Sequence, residues 1–132
     1  MEFLDYRYVL YGNIQLPMAV WRLTAHPELA RLRGVSQDVL PRSLNPQSTG
    51  DRLEHSIGVW HLLEQLCRRT EFRHFSPTLP LAGLLHDAGS PPFSHCGEWW
   101  LSAATGCNGE THLRKVLAGS ALAPALKALG AD

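Results

Sequence analysis

The residues of this chain best placed to do chemistry are its histidines, seven among 132 residues, and their spacing says more than their number. The run Leu81-Ala82-Gly83-Leu84-Leu85-His86-Asp87-Ala88-Gly89 sets an imidazole beside a carboxylate at the end of an apolar stretch. On a helix, adjacent residues point about 100° apart, so both groups reach one ion near the helix end. A carboxylate on an apolar element is costly unless it is paired or metal-bound. The plainer alternative is a histidine at a helix C-terminus and a surface aspartate. His55 supplies a second imidazole from a separate element. Two imidazoles and a carboxylate form a mixed nitrogen and oxygen donor set suited to Fe, Mn, Zn or Co, with Mg²⁺ a further candidate. Such a set keeps positions open for water or phosphate oxygens. His95 and His112 add groups able to move protons or bind phosphate near neutral pH.

The elements that must position these groups read as mostly helical. Residues 1–16 carry apolar and aromatic side chains around Tyr11-Gly12-Asn13, the pattern of a turn between two extended pieces. Pro17 suits the first turn of a helix with Val20, Trp21 and Leu23 on one face, and His26-Pro27 interrupts it. Pro27 opens a further short helix with Leu29 and Leu32 inward. Residues 34–50 hold Pro41, Pro46 and Gly50 without periodicity and read as an irregular loop. From Asp51 to Arg69, Leu53, Ile57, Trp60, Leu63 and Cys67 recur at steps of three and four, with Asp51 the N-cap and Glu54 placed to complete a capping box. Arg52 falls on the same helical face as His55, one turn away. Further helices are predicted from Thr78 through His86, around Ser94–Leu101, over Glu110–Leu117 and over Ala121–Leu129. Trp99 and Trp100 read as filler for the core or an interface rather than as a base-stacking platform.

Taken together, Arg52-Leu-Glu-His55-Ser-Ile-Gly-Val and Ala82-Gly-Leu-Leu-His86-Asp87-Ala-Gly-Ser-Pro-Pro-Phe-Ser-His95 resemble the HD-domain metal-dependent phosphohydrolases. The chain is most similar to their deoxynucleoside triphosphate triphosphohydrolase branch. Tyr11-Gly-Asn-Ile-Gln-Leu and Leu29-Ala-Arg-Leu-Arg-Gly-Val-Ser-Gln37 extend the likeness over nearly the whole sequence. The resemblance implies an all-α HD-domain bundle behind a short N-terminal hairpin, spanning residues 1–132 as a single domain incomplete at its C-terminus. It implies that His55, His86 and Asp87 ligate one divalent metal ion, and that Gln37 and Arg52 face the nucleotide. It also implies catalytic positions for His95, Glu98 and His112. The alternative for Arg52 is an exposed ion pair, and for Gln37 a surface loop residue. His26, His61 and His74 match no family position and read as surface or packing residues.

Two departures stand out. Ser90 replaces a histidine usual in the branch, which removes an imidazole from the pocket. The family's fourth ligand is an aspartate on a later helix, and Asp132 is a poor substitute, so the chain by itself should show little turnover. The apolar face Leu122, Leu126 and Leu129 then lacks cover, which predicts self-association into a homo-oligomer. Composition bounds the partners: twelve basic and twelve acidic residues cancel, so bulk charge gives no reason for nucleic-acid binding. No apolar run is long enough to span a bilayer. The odd set Cys67, Cys96 and Cys107, without CxxC spacing, predicts reduced thiols and a cytoplasmic location. The expected function is hydrolysis of a deoxynucleoside triphosphate to deoxynucleoside and triphosphate. The alternatives are a catalytically incomplete nucleotide- or metal-binding module and a helical interaction domain.

Overall fold

Apolar and polar residues alternate on either side of Gly12, whose positive φ of 69° makes the turn. They form an antiparallel hairpin of β1 (Phe3–Tyr8) and β2 (Gly12–Pro17), in register from Phe3 opposite Pro17 to Tyr8 opposite Gly12. The computed structural model describes residues 2–8, 10–37 and 50–131, with the side chains of Ser94 and His95 outside that set. One face of the hairpin buries Tyr8, Ile14 and Leu16. Pro17 ends β2 and caps the next helix instead of entering its first turn, because its ψ of 135° is extended. The short helices α1 (Met18–Leu23) and α2 (Pro27–Ala30) follow, separated at His26 and Pro27, and α2 runs into a 3₁₀ turn over Arg31–Gly34.

Of the irregular loop expected over residues 34–50, residues 38–49 lie outside the described residues. Its two ends are ordered against each other. Ser36 and Asp51 form an antiparallel bridge, and the Arg52 N–H donates to the Val35 carbonyl at 2.9 Å. Periodicity cannot reveal a bridge between two residues so far apart in sequence.

The central helix α3 (Arg52–Cys67) starts at Asp51, whose carboxylate accepts from the Glu54 N–H at 2.8 Å. A 3₁₀ segment, Thr70–Phe75, which no periodicity announces, leads to α4 (Thr78–Leu85). The chain closes with α5 (Ser94–Thr105), α6 (Gly109–Ala118) and α7 (Leu122–Ala128). The most extensive packing is α3 against α4, where Leu53, Ile57 and Trp60 share one core with Leu81, Leu84 and Leu85. Tyr8 reaches this core through a slot at Gly58, where a Cβ would stand 2.3 Å from the tyrosine oxygen.

Two expectations about apolar surface are corrected. Leu122 is fully buried and Leu126 and Leu129 pack on the core, so α7 is covered by its own domain and gives no reason for self-association. Trp99 and Trp100 are 67% and 70% exposed, edge to face with each other, so neither fills the core. Adjacent residues on a helix cannot both face inward without the rest of the turn following them. His61 lies against Tyr11, and His74 against Phe75, as expected of packing residues.

The end of α4 meets α6 with no room to spare. A Cβ on Gly89 would lie 2.7 Å from the Leu113 nitrogen and 2.8 Å from the Gly109 oxygen, both backbone atoms that cannot swing aside. Gly89→Ala should therefore cost about 1–3 kcal/mol as α6 is pushed outward. Denaturant unfolding measures it, and an unchanged midpoint would mean that α6 is not seated on this turn.

Candidate metal centre

The site forms where the first turn of α3 meets the C-terminus of α4. His55 and Arg52 lie on one face of α3, because residues three apart share a face. His86 caps α4 and Asp87 begins the tight turn after it, closed by Ala88 N–H to Leu85 O at 2.8 Å and Ser90 N–H to Asp87 O at 2.9 Å. One ligand-competent atom from each of His55, His86 and Asp87 lies within 4.8 Å of the others. The two imidazoles stand edge to face with ring centres 5.2 Å apart.

Asp87 is buried and its two oxygens have different surroundings. Oδ1 accepts from Nη1 of Arg52 at 2.6 Å and from the Ser90 hydroxyl at 3.0 Å. Oδ2 accepts no hydrogen bond among the described residues and stands 3.3 Å from Nε2 of His86. His86 Nδ1 lies 2.7 Å from the Gly83 carbonyl, to which it donates, and this turns Nε2 toward the carboxylate. Two donors each about 2.1 Å from one ion are roughly 3.0–3.4 Å apart at octahedral or tetrahedral angles. The separation of Nε2 and Oδ2, together with an otherwise orphaned buried oxygen, fits a divalent cation held by His55, His86 and Asp87.

The electrostatics agree with that fit. Burial would raise Asp87, but contact with His86, the Arg52 guanidinium and the Ser90 hydroxyl overcome it and hold the carboxyl far below its ordinary range. The Asp87 carboxylate raises His86, against the effect of burial. Burial, with His86 and Arg52 nearby, lowers His55. His55 therefore gives up a proton more readily than an ordinary imidazole and His86 less readily, so protons compete with an ion chiefly at His86.

The other expected residues divide. Arg52 is 4% exposed and joined to Asp87, so the exposed ion pair considered for it is ruled out. Gln37 is half-buried with Oε1 unpartnered among the described residues, and its N–H lies 3.4 Å from the Gly50 carbonyl beside the start of α3. Glu98 lines a cleft of about 490 Å³ together with His86, Asp87, Ser90, Asn108 and Glu110. His112 does not line it; its Nδ1 lies 2.8 Å from the Gly89 carbonyl, behind the Asp87 turn. The His95 side chain lies outside the described residues. Sequence reasoning undervalued Ser90, which is 4% exposed and holds Asp87. The signal was there, since a hydroxyl three residues after an aspartate readily bonds to it in a turn.

The purified chain should take up about one transition-metal ion, and His86→Ala should weaken uptake steeply, because only two ligands of the cluster remain. Affinity should fall as pH drops through the raised pKa of His86, above the ordinary 6.5, because the proton then competes for Nε2. Metal content by mass spectrometry and calorimetry across pH check both. Equal occupancy in the parent and His86→Ala would remove this residue from the site.

Residues 52–120 match the HD domain family. The chain is 31% identical over 108 residues to the deoxynucleoside triphosphate triphosphohydrolase SAMHD1 homolog of Dictyostelium discoideum, covering 74% of this chain and 21% of that protein. It is 32% identical over 96 residues to deoxynucleoside triphosphate triphosphohydrolase SAMHD1 of Bos taurus, covering 65% and 16% respectively. It therefore spans about a fifth or less of these relatives' length. A crystal structure of a hypothetical protein from Aquifex aeolicus superposes with a TM-score of 0.77 at 32% identity, over 96% of this chain and 34% of that one. With the cluster of His55, His86 and Asp87 inside the matched region, the chain belongs to the HD domain family.

Proposed function

We propose that this chain carries the metal centre of a nucleotide phosphohydrolase that cleaves a deoxynucleoside triphosphate to deoxynucleoside and triphosphate. The observation that supports it most is the buried Oδ2 of Asp87, without a hydrogen-bond partner among the described residues and grouped with His86 and His55, where Asp87 and His86 line a cleft of about 490 Å³. A divalent ion there supplies Lewis acidity toward phosphate oxygen and lowers the pKa of bound water. His55, His86 and Asp87 would hold it. Arg52 sets a cationic group beside the ligand carboxylate, where it offsets phosphate charge. Gln37, bonded to Gly50 beside the start of α3, brings an amide oxygen with no partner among the described residues, which suits a donor on the nucleotide. Glu98, on the cleft wall, is placed to accept or deliver a proton, and the family likeness implies the same task for His95. His112 acts indirectly, by holding the Gly89 carbonyl.

The reading is tested by giving the metal-loaded protein a deoxynucleoside triphosphate and separating the products by ion chromatography. Binding should be measurable by calorimetry, and any turnover, however slow, should release triphosphate. No binding, or release of orthophosphate or pyrophosphate, contradicts the assignment. Arg52→Lys keeps the charge but loses the planar fork, so nucleotide affinity should drop by about tenfold or more. An unchanged dissociation constant would confine Arg52 to its bond with Asp87.

A further inference from the structure

The three carbonyls that follow Asp87 are each held by a side chain from a distant element. Arg31, in the 3₁₀ turn between α2 and α3, lies 2.5 Å through Nη2 from the Ala88 oxygen and 2.8 Å through Nη1 from the Ser90 oxygen. His112, from α6, takes the Gly89 oxygen between them at 2.8 Å. Guanidinium nitrogens have no lone pair to offer, so both contacts are donations from Arg31 to backbone. Arginine is usually spent on carboxylate, phosphate or solvent; here its fork bridges both ends of one short turn. The residue at the far end of that turn is Ser90, whose hydroxyl donates to Oδ1 of Asp87.

We propose that Arg31 is a positioning residue for the metal centre. By fixing the carbonyls of Ala88 and Ser90 it sets the turn geometry that places the Ser90 hydroxyl on Oδ1, and so aims Oδ2 at the ion. The chain of contacts runs from Arg31 to the Ser90 backbone, to the Ser90 hydroxyl, to Asp87. Arg31 is not among the residues that line the cleft, so its effect would pass through the turn. The inference rests on the reading of His55, His86 and Asp87 as the metal ligands. Its consequence differs from that of a fold staple, because a staple lost elsewhere would lower stability without altering the ligand field.

The test titrates the apoprotein with Co²⁺, read by calorimetry and by the visible absorption of the bound ion, in the parent, Arg31→Lys and His86→Ala. Lysine keeps the charge but cannot hold two carbonyls in a planar fork. Arg31→Lys should bind Co²⁺ about ten- to a hundredfold more weakly, with a changed absorption band, as outer-shell substitutions do. His86→Ala should lose binding almost entirely. A Lys variant with the parent's affinity and spectrum, whatever its unfolding midpoint, would overturn the proposal and leave Arg31 a staple. Failure of the parent to bind Co²⁺, or equal binding by His86→Ala, would instead overturn the metal-centre reading beneath it. Should Arg31→Lys fail to fold, Arg31→Gln, which keeps one amide donor, is titrated with the same two outcomes.

Discussion

A buried carboxylate with one oxygen doubly hydrogen-bonded and the other without a partner among the described residues is the constraint around which this domain is arranged. Asp87 is buried, and a buried charge is tolerated only with a partner of good geometry and further hydrogen bonds. Arg52 and Ser90 meet that demand on Oδ1 alone. Removing one partner of such a pair typically costs roughly 3–5 kcal/mol, because the other charge stays behind in the interior. The position of Arg52 on α3 therefore follows from the needs of Asp87 on the α4 turn. His55, one helical turn beyond Arg52, arrives at the same place without a separate device.

The same carboxylate divides the labour of the two imidazoles. His86, directly beside it, holds its proton more tightly, and His55, half-buried and near the Arg52 guanidinium, holds its proton less tightly. The depressed pKa of Asp87 contributes stability above its ordinary value of 3.8, and that stability is lost as acid reaches the folded-state pKa. Packing keeps these relations in place. The Leu84 and Leu85 side of α4 is locked into the α3 core, and Gly89 lets the backbone of α6 close over the turn without a gap.

Much of this was legible in the sequence, and the remainder was not for identifiable reasons. The three-and-four spacing of Leu53, Ile57 and Trp60 announced α3, and Asp51 followed by Glu54 marked its start. The hairpin was visible in Tyr11-Gly12-Asn13, although Pro17 serves as its last residue rather than as a helix opener. His55, His86 and Asp87 were identifiable as a donor set by type and by family motif, and the fold brings them together. What sequence could not show was pairing at a distance. Arg52 reads equally well as a surface charge until Asp87 is seen at 2.6 Å. Ser90 reads as the loss of a histidine until its hydroxyl is seen on Oδ1. The face of α7 looked uncovered because the core that accepts Leu122 comes from helices far earlier in the chain.

X-ray absorption at the zinc edge, on protein loaded with one equivalent of Zn²⁺, tests the central claim most directly. This account predicts a first shell of nitrogen and oxygen at roughly 2.0–2.2 Å, with scattering from two imidazoles and no sulfur. In Asp87→Asn the shell should be rebuilt or the metal lost. A shell containing a Cys67, Cys96 or Cys107 thiolate, or fewer than two imidazoles, would contradict a centre built on His55, His86 and Asp87.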